Sequence, residues 1–288
     1  MTKVLVTGAG GMLGSDLVAV LSDLPAFTVT AARRADLDLA DAAAVAAAVP
    51  GHDVVINAAG WTDVDGAETS EEAATLVNGT AVASMAAACA SSGARLVHVS
   101  TDYVLSGTAS SPYPESAVPA PVNAYGRSKL AGERAVLSVL PAAGYVVRTA
   151  WLYGAHGRNF AATMLRLAGS RETVDVVDDQ WGQPTWSLAL ARQLVTLASC
   201  SSAPPGIYHG TASGSTTWYH FARAVFALNG LDADRVRPTT SAAFVRPAVR
   251  PTYSVLGHDR WAAAGLAPMA SWQTSLAAAV AAGAVVAG

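Results

Sequence analysis

Tyr125 and Lys129 are the residues of this 288-residue chain whose types and spacing most directly imply chemistry. They lie four positions apart in Tyr125-Gly126-Arg127-Ser128-Lys129, so a helix carrying them presents both on one face. A phenol with a pKa of about 10 is a poor acid–base group at neutral pH, and a neighbouring ammonium favours the phenolate and lowers that value. The alternative is an ordinary surface pair. Composition weighs against it, because only two of the 18 lysines and arginines are lysine, Lys3 and Lys129. With eight tyrosines in the chain, a chance lysine four residues after one of them has a probability of about 0.06. Lysine is the compact cation whose pKa is readily tuned. Upstream, Ser100-Thr101 ends an apolar run, and a hydroxyl there can donate to a substrate carbonyl while Tyr125 protonates it.

A second constellation stands at the start. Thr7-Gly8-Ala9-Gly10-Gly11-Met12-Leu13-Gly14 follows the run Lys3–Thr7, with Gly8, Gly11 and Gly14 spaced as GxxGxxG. Glycine permits the tight turn and close backbone approach to a pyrophosphate, and the helix N-terminus beyond it offers free N–H groups. The candidate cofactor residues are therefore Gly8, Gly11, Met12, Leu13 and Gly14, joined by Asn57, Ala58 and Ala59 at the end of a later strand. Arg33 and Arg34 stand where many NAD-binding chains carry an acid, and an arginine there can pair with a 2′-phosphate. They read alternatively as two solvated arginines. Asp38 and Leu39 either meet the adenine or simply precede a helix near Asp41.

These groups need a scaffold. Lys3–Thr7, Thr28–Ala31, Asp53–Asn57, Arg95–Ser100 and Tyr145–Thr149 read as strands, alternating with helices over Met12–Leu24, Asp41–Val49, Glu71–Ala90 and Ala124–Leu140. Such alternation predicts an α/β, doubly wound Rossmann-type parallel sheet with a smaller C-terminal α/β lobe. The expected division is 1–150 for the dinucleotide, with 187–210 returning to it, and 151–186 plus 211–288 for the substrate. A net charge of −3 gives no reason to expect nucleic acid. No uninterrupted apolar run of about 18 residues appears, so no membrane span is expected. Cys89, Cys200 and the scattered histidines have no metal spacing, which predicts a metal-free cytoplasmic protein.

With these residues in view, the chain resembles the extended short-chain dehydrogenase/reductases and, more narrowly, the dTDP-4-dehydrorhamnose reductase family. The resemblance spans nearly the whole length. It is carried by the glycine loop, Asp63-Val64-Asp65-Gly66-Ala67-Glu68, Ser100-Thr101-Asp102-Tyr103-Val104, Tyr125–Glu133, Arg148–Gly154, Asn159-Phe160, Asp179–Thr185 and Arg250-Pro251. It implies that NADPH or NADH reduces the C4 ketone of a dTDP-4-keto-6-deoxy sugar, dTDP-4-dehydro-6-deoxy-L-mannose, to give dTDP-L-rhamnose. In that scheme Tyr125 donates the proton, Lys129 tunes it and holds the nicotinamide ribose, and Thr101 orients the carbonyl. Asp102, Trp151, Asn159, Phe160 and Arg250 would hold the substrate, Trp151 reading alternatively as a packing residue between lobes. The resemblance further implies a monomer or homodimer. Leu105-Ser106-Gly107 and Gly60-Trp61 depart from the family pattern near the pocket, which leaves the sugar open. A 4,6-dehydratase is disfavoured because Tyr103 stands where those enzymes carry a glutamate. A 4-ketoreductase for another dTDP-deoxyhexose and a non-catalytic dinucleotide-binding subunit are the remaining alternatives.

Overall fold

Strands whose every residue is apolar leave no face for water and must lie inside a sheet covered on both sides. The computed structural model describes residues 1–287. Its sheet comprises β1 (Thr2–Thr7), β2 (Phe27–Ala32), β3 (Val54–Asn57), β4 (Arg95–Thr101), β5 (Gly144–Thr149) and β6 (Gly206–His209). All neighbours run parallel in the order β6-β5-β4-β3-β1-β2. Parallel neighbours need crossovers. Helices α1 (Met12–Ser22), α2 (Ala42–Ala48), α3 (Glu71–Ser92) and α4 (Ala124–Val139) supply those in the first half, and α5 (Ser187–Ser199) precedes β6.

Side chains alternate across each strand, which divides the core into two layers. Val4, Val6, Val54, Ile56 and Val147 meet Leu13, Leu17, Leu190 and Leu194 of α1 and α5. On the opposite face Leu5, Val55, Leu96 and Val146 meet Val45, Val82, Met85 and Val136 of α2, α3 and α4. Each such side chain contributes about 1.5–3 kcal/mol over its exposed state. By length and composition α3 could cross a membrane, its apolar residues being interspersed with polar ones. Its Val82, Met85, Ala86 and Cys89 are packed against the sheet, the burial of a core helix.

A separate apolar cluster, with Tyr153, Met164, Trp186, Phe221, Phe226, Trp272 and Leu276, forms the second lobe. Helices Phe160–Ala168, Trp218–Leu228 and Trp272–Ala281 build it with the parallel pair Val174–Val177 and Val236–Thr239. The chain returns to the sheet layer twice. The first return is α5 with β6, within 187–210. The second, around Trp261 and Met269, falls inside 211–288; both side chains join the sheet core, and Trp261 Nε1 donates to His209 O at 2.7 Å. Large apolar side chains find the nearest unfilled core whatever their place in the chain.

Candidate active site

The strand order reverses between β1 and β3, and that switch point opens a crevice at the carboxyl ends of both strands. The glycine loop lies in it. Gly8 has φ +71°, and a Cβ there would stand 2.6 Å from Ala59 N, so the loop touches the backbone of Ala58-Ala59. A Cβ on Gly14 would collide with the Gly8 carbonyl, so α1 packs directly on the turn. Gly11 N donates to Gly8 O at 2.9 Å, and no side chain caps the first turn of α1. Backbone N–H groups in a side-chain-free cradle suit a dinucleotide pyrophosphate, and the glycine loop fits the nicotinamide cofactor on that ground. Leu13 itself points into the core, whereas Met12 faces the Gly154 and Gly157 loop.

The remaining cofactor candidates divide. The Arg33 stem runs beside Gly10, its Cγ 3.7 Å from where a Cβ would sit, with the side chain otherwise exposed. Asp38 is exposed and its Oδ1 accepts from Ala40 N at 3.0 Å, while Leu39 packs partly against the sheet core. The side chain of Asn57 is wholly internal. Its Oδ1 accepts from Thr7 Oγ1 at 2.7 Å and its amide donates to His98 Nδ1 at 3.0 Å. Asn57 therefore ties β1, β3 and β4 together and offers a ligand no side chain.

Helix α4 is seated with its first turn on the end of β4. Asn123 caps it, Oδ1 accepting from Gly126 N at 2.8 Å, while Ala124 N donates to Glu68 Oε1 at 2.8 Å. A side chain on Gly126 would collide with Tyr103 O, which fixes α4 against the turn Asp102–Val104. Thr101 opens that turn, accepting from Tyr103 N at 3.2 Å and donating to Asp102 Oδ1 at 3.0 Å. The Tyr125 ring packs edge-on to Tyr103 at 5.9 Å and, like Trp61, lies against the cluster of Ala67, Ala74 and Ala124. Tyr125 itself is half-buried. Burial pushes its pKa up to about 12, the Thr101 hydroxyl pulling it back in part. Lys129 Nζ is buried and donates to Val99 O at 2.6 Å; burial lowers its pKa to about 8, opposed by Glu133. The expectation that the ammonium lowers the phenol is thus reversed. Desolvation sets the direction, and the Lys129 ammonium gives its hydrogen bond to a backbone carbonyl. Asp102 is 2 % exposed, and burial raises its carboxyl to about 6.

Several supporting residues escaped the sequence reading. Asn78, in the π-helical turn Leu76–Thr80 of α3, accepts from Trp61 N at 2.9 Å and donates to Trp61 O and Ser128 Oγ. It joins the Gly60-Trp61 segment to α4. Behind the site, Arg148 grips Glu133 through Nε and Nη2 at 2.9 and 2.8 Å, and Ser100 Oγ donates to the same carboxylate at 2.6 Å. Buried polar side chains within otherwise apolar elements were the available signal for both.

On the substrate side, the candidates are more committed than expected. Trp151 has φ +48° and stacks on Trp218 with centroids 3.5 Å apart, its indole lying against Gly182. That is packing between segments of the second lobe, with part of the ring left accessible. Asn159 caps Phe160–Ala168, accepting from Ala162 N at 2.9 Å and donating to Gly154 O at 3.0 Å. Phe160 sits against Trp218 and Phe221. Arg250 pairs with Asp65 at 3.0 Å, and its guanidinium lies 6.0 Å from the Tyr103 ring centroid. In this structure Asn159 is engaged with a helix end and Arg250 with the half-buried Asp65 carboxylate. Among the described residues, no cluster of His, Cys, Asp and Glu is arranged to hold a metal ion.

Comparison with known proteins adds to this geometry. The model of the RmlD substrate binding domain matches residues 1–285. The chain is 53% identical over 274 residues to a protein from Streptomyces niveus named dTDP-4-keto-6-deoxy-D-glucose reductase, covering 94% of each chain. It is 52% identical over 277 residues to a dTDP-4-dehydrorhamnose reductase from Streptomyces griseus, covering 94% of this chain and 91% of that one. The crystal structure of a dTDP-4-dehydrorhamnose reductase from Bacillus anthracis in complex with NADP is similar at a TM-score of 0.92 and 34% identity, covering 98% and 100% of the two chains.

Proposed function

Because the chain belongs to the dTDP-4-dehydrorhamnose reductase family, we propose that it reduces the C4 ketone of dTDP-4-dehydro-6-deoxy-L-mannose to dTDP-L-rhamnose. It is an NAD(P)H-dependent oxidoreductase. When bound, NADPH or NADH supplies the hydride. The glycine loop would hold the diphosphate of that cofactor, with Arg33 toward its adenosine and Lys129 toward its nicotinamide ribose. Thr101 orients the substrate carbonyl, and Tyr125 delivers the proton to its oxygen. A phenol that stays protonated at neutral pH is the form this step requires, since the oxygen becomes strongly basic only as hydride arrives. Lys129, still an ammonium at pH 7, steadies the phenolate left behind. Residues 151–186 and 211–288 receive the nucleotide sugar, with Trp151 and Trp218 as an aromatic wall, and Asp102 and Arg250 at its other side. The protein works in the cytoplasm as a monomer or homodimer.

One observation carries the reading. Thr101 stands at the carboxyl end of β4, and α4, which carries Tyr125 and the buried Lys129, is seated on that end. The Streptomyces niveus relative favours a second reading, a 4-ketoreductase acting on another dTDP-deoxyhexose. Incubation with NADPH and a panel of dTDP-4-keto-6-deoxyhexoses, followed by product analysis at C4, separates the two. Fastest turnover of the L-mannose-derived ketone supports the rhamnose reaction, and preference for another ketone replaces it. NADPH bound but never consumed would leave a non-catalytic subunit.

A further inference from the structure

The carboxyl edge of the sheet carries two threonines side by side. Thr101 ends β4 and Thr149 ends β5, and the two are partners in the parallel register, on strands about 4.8 Å apart. We propose that Thr149 is the side chain that binds the carboxamide of the cofactor's nicotinamide. The inference rests on the reductase reading above.

Burial and direction single Thr149 out. It is 6 % exposed, yet its Oγ1 has no hydrogen-bond partner in the protein. A hydroxyl withdrawn from water without a partner is costly, so one kept at a strand end beside a ligand crevice points to a bound polar group. Side chains alternate along a strand, and Val147, two residues back, packs in the layer of α1 and α5. Thr149 therefore lies on the α1 face of the sheet, the face on which the glycine loop opens its helix. Val97, four residues before Thr101, belongs to the same layer, which puts both threonines on that face. The Thr101 hydroxyl is already engaged, accepting from Tyr103 N and donating to Asp102 Oδ1. That of Thr149 is not.

The path of the chain adds a second argument. Beyond Thr149 it turns sharply at Trp151, which has φ +48°, and Gly154 and Gly157 then meet Met12 at the start of α1. Thr149 is thus flanked by Thr101 on one side and, on the other, by chain that crosses back to the pyrophosphate cradle. A hydride delivered beside Thr101 and Tyr125 requires the nicotinamide at these strand ends. The carboxamide is the one hydrogen-bonding group on that ring, and a threonine hydroxyl can accept from its nitrogen or donate to its oxygen.

The test compares wild type with Thr149→Val and Thr149→Ser by calorimetric titration. The ligands are NADPH and 2′-phospho-ADP-ribose, which is the same cofactor without its nicotinamide. Valine keeps the shape and removes the hydroxyl. It should weaken NADPH about threefold to tenfold, the contribution of one hydrogen bond, and leave 2′-phospho-ADP-ribose within about twofold. Serine should bring NADPH back to within about twofold of wild type. Because valine also removes a buried hydroxyl that has no partner, the melting temperature of the unliganded variant should equal or exceed that of wild type. NADPH binding unchanged by valine, an equal loss for 2′-phospho-ADP-ribose, or a loss confined to the KM of the keto sugar overturns the proposal. So does a serine variant as weak as the valine one, or a fall in melting temperature, which would mean that the hydroxyl has a partner within the protein. Wild type that binds no NADPH removes the reductase reading, and this inference with it.

Discussion

At the scale of single residues, the site separates holding a proton from moving it. Burial raises the Tyr125 phenol, Thr101 stands at the strand end below it, and Lys129 gives its hydrogen bond to Val99 O rather than to the phenol oxygen. Tyr125→Phe removes the acid and leaves the ring packed against Tyr103. Turnover should fall by about 10² or more while the NADPH dissociation constant stays within about twofold. Stopped-flow absorbance and fluorescence titration measure the two, and undiminished turnover would remove Tyr125 from the reaction. Replacing Arg33 and Arg34 by alanine should weaken NADPH more than NADH, because only the former carries the 2′-phosphate. Equal losses in a binding titration would assign both arginines to the solvent. The tyrosine–lysine pair was legible because helical spacing alone sets them on one face. The sign of the phenol's shift was not, since burial comes from segments as distant as Tyr103.

At the scale of elements, α4 carries the chemistry, and its seating on β4 decides the geometry. Asn123 secures that seat twice, capping the helix at Gly126 N and donating to Val249 O at 2.9 Å. Asn123→Ala should cost about 1–2 kcal/mol in urea denaturation for the lost cap and the unpaired carbonyl. A change within error would mean that Glu68 and Gly126 suffice to hold the turn. The strands and helices of the first half were legible to within a few residues, because alternating long runs of one hydrophobic period leave little choice. The π-helical turn of α3 was not, since Asn78 draws its meaning from Trp61 and Ser128. Nor were the helices of the second lobe, where aromatics and prolines obscure the period.

At the scale of the whole molecule, buried polar groups behind the site tie its layers together and set a pH limit. His98 accepts from Asn57 inside the sheet, and His209 lies with one ring nitrogen on Gly257 O at 2.9 Å. Burial depresses both, His209 to about 3 from an ordinary 6.5. A depressed histidine gives stability that is present above 6.5 and lost as pH falls toward the folded value, because the unfolded chain takes the proton first. Asp102, raised to about 6, acts in the opposite sense over pH 6 to 4 and offsets only one of the two histidines. Wild type should therefore lose about 1–2 kcal/mol of unfolding free energy between pH 7.5 and 5.5. His209→Gln should flatten that slope in paired urea titrations, and an identical slope in both proteins would place the proton uptake elsewhere.

What could be read from residue order alone was whatever depends on neighbours along the chain: the period of each strand and helix, the glycine turn after β1, and the Tyr125–Lys129 face. These follow from backbone sterics and helical geometry, which act over a few residues. The three-dimensional packing decided the rest. It half-buried Tyr125, gave Asn159 and Arg250 to Gly154 and Asp65, stacked Trp151 on Trp218, and brought Trp261 back to the sheet. Desolvation and hydrogen-bond competition depend on which distant groups arrive at the same place, and local spacing carries no record of that.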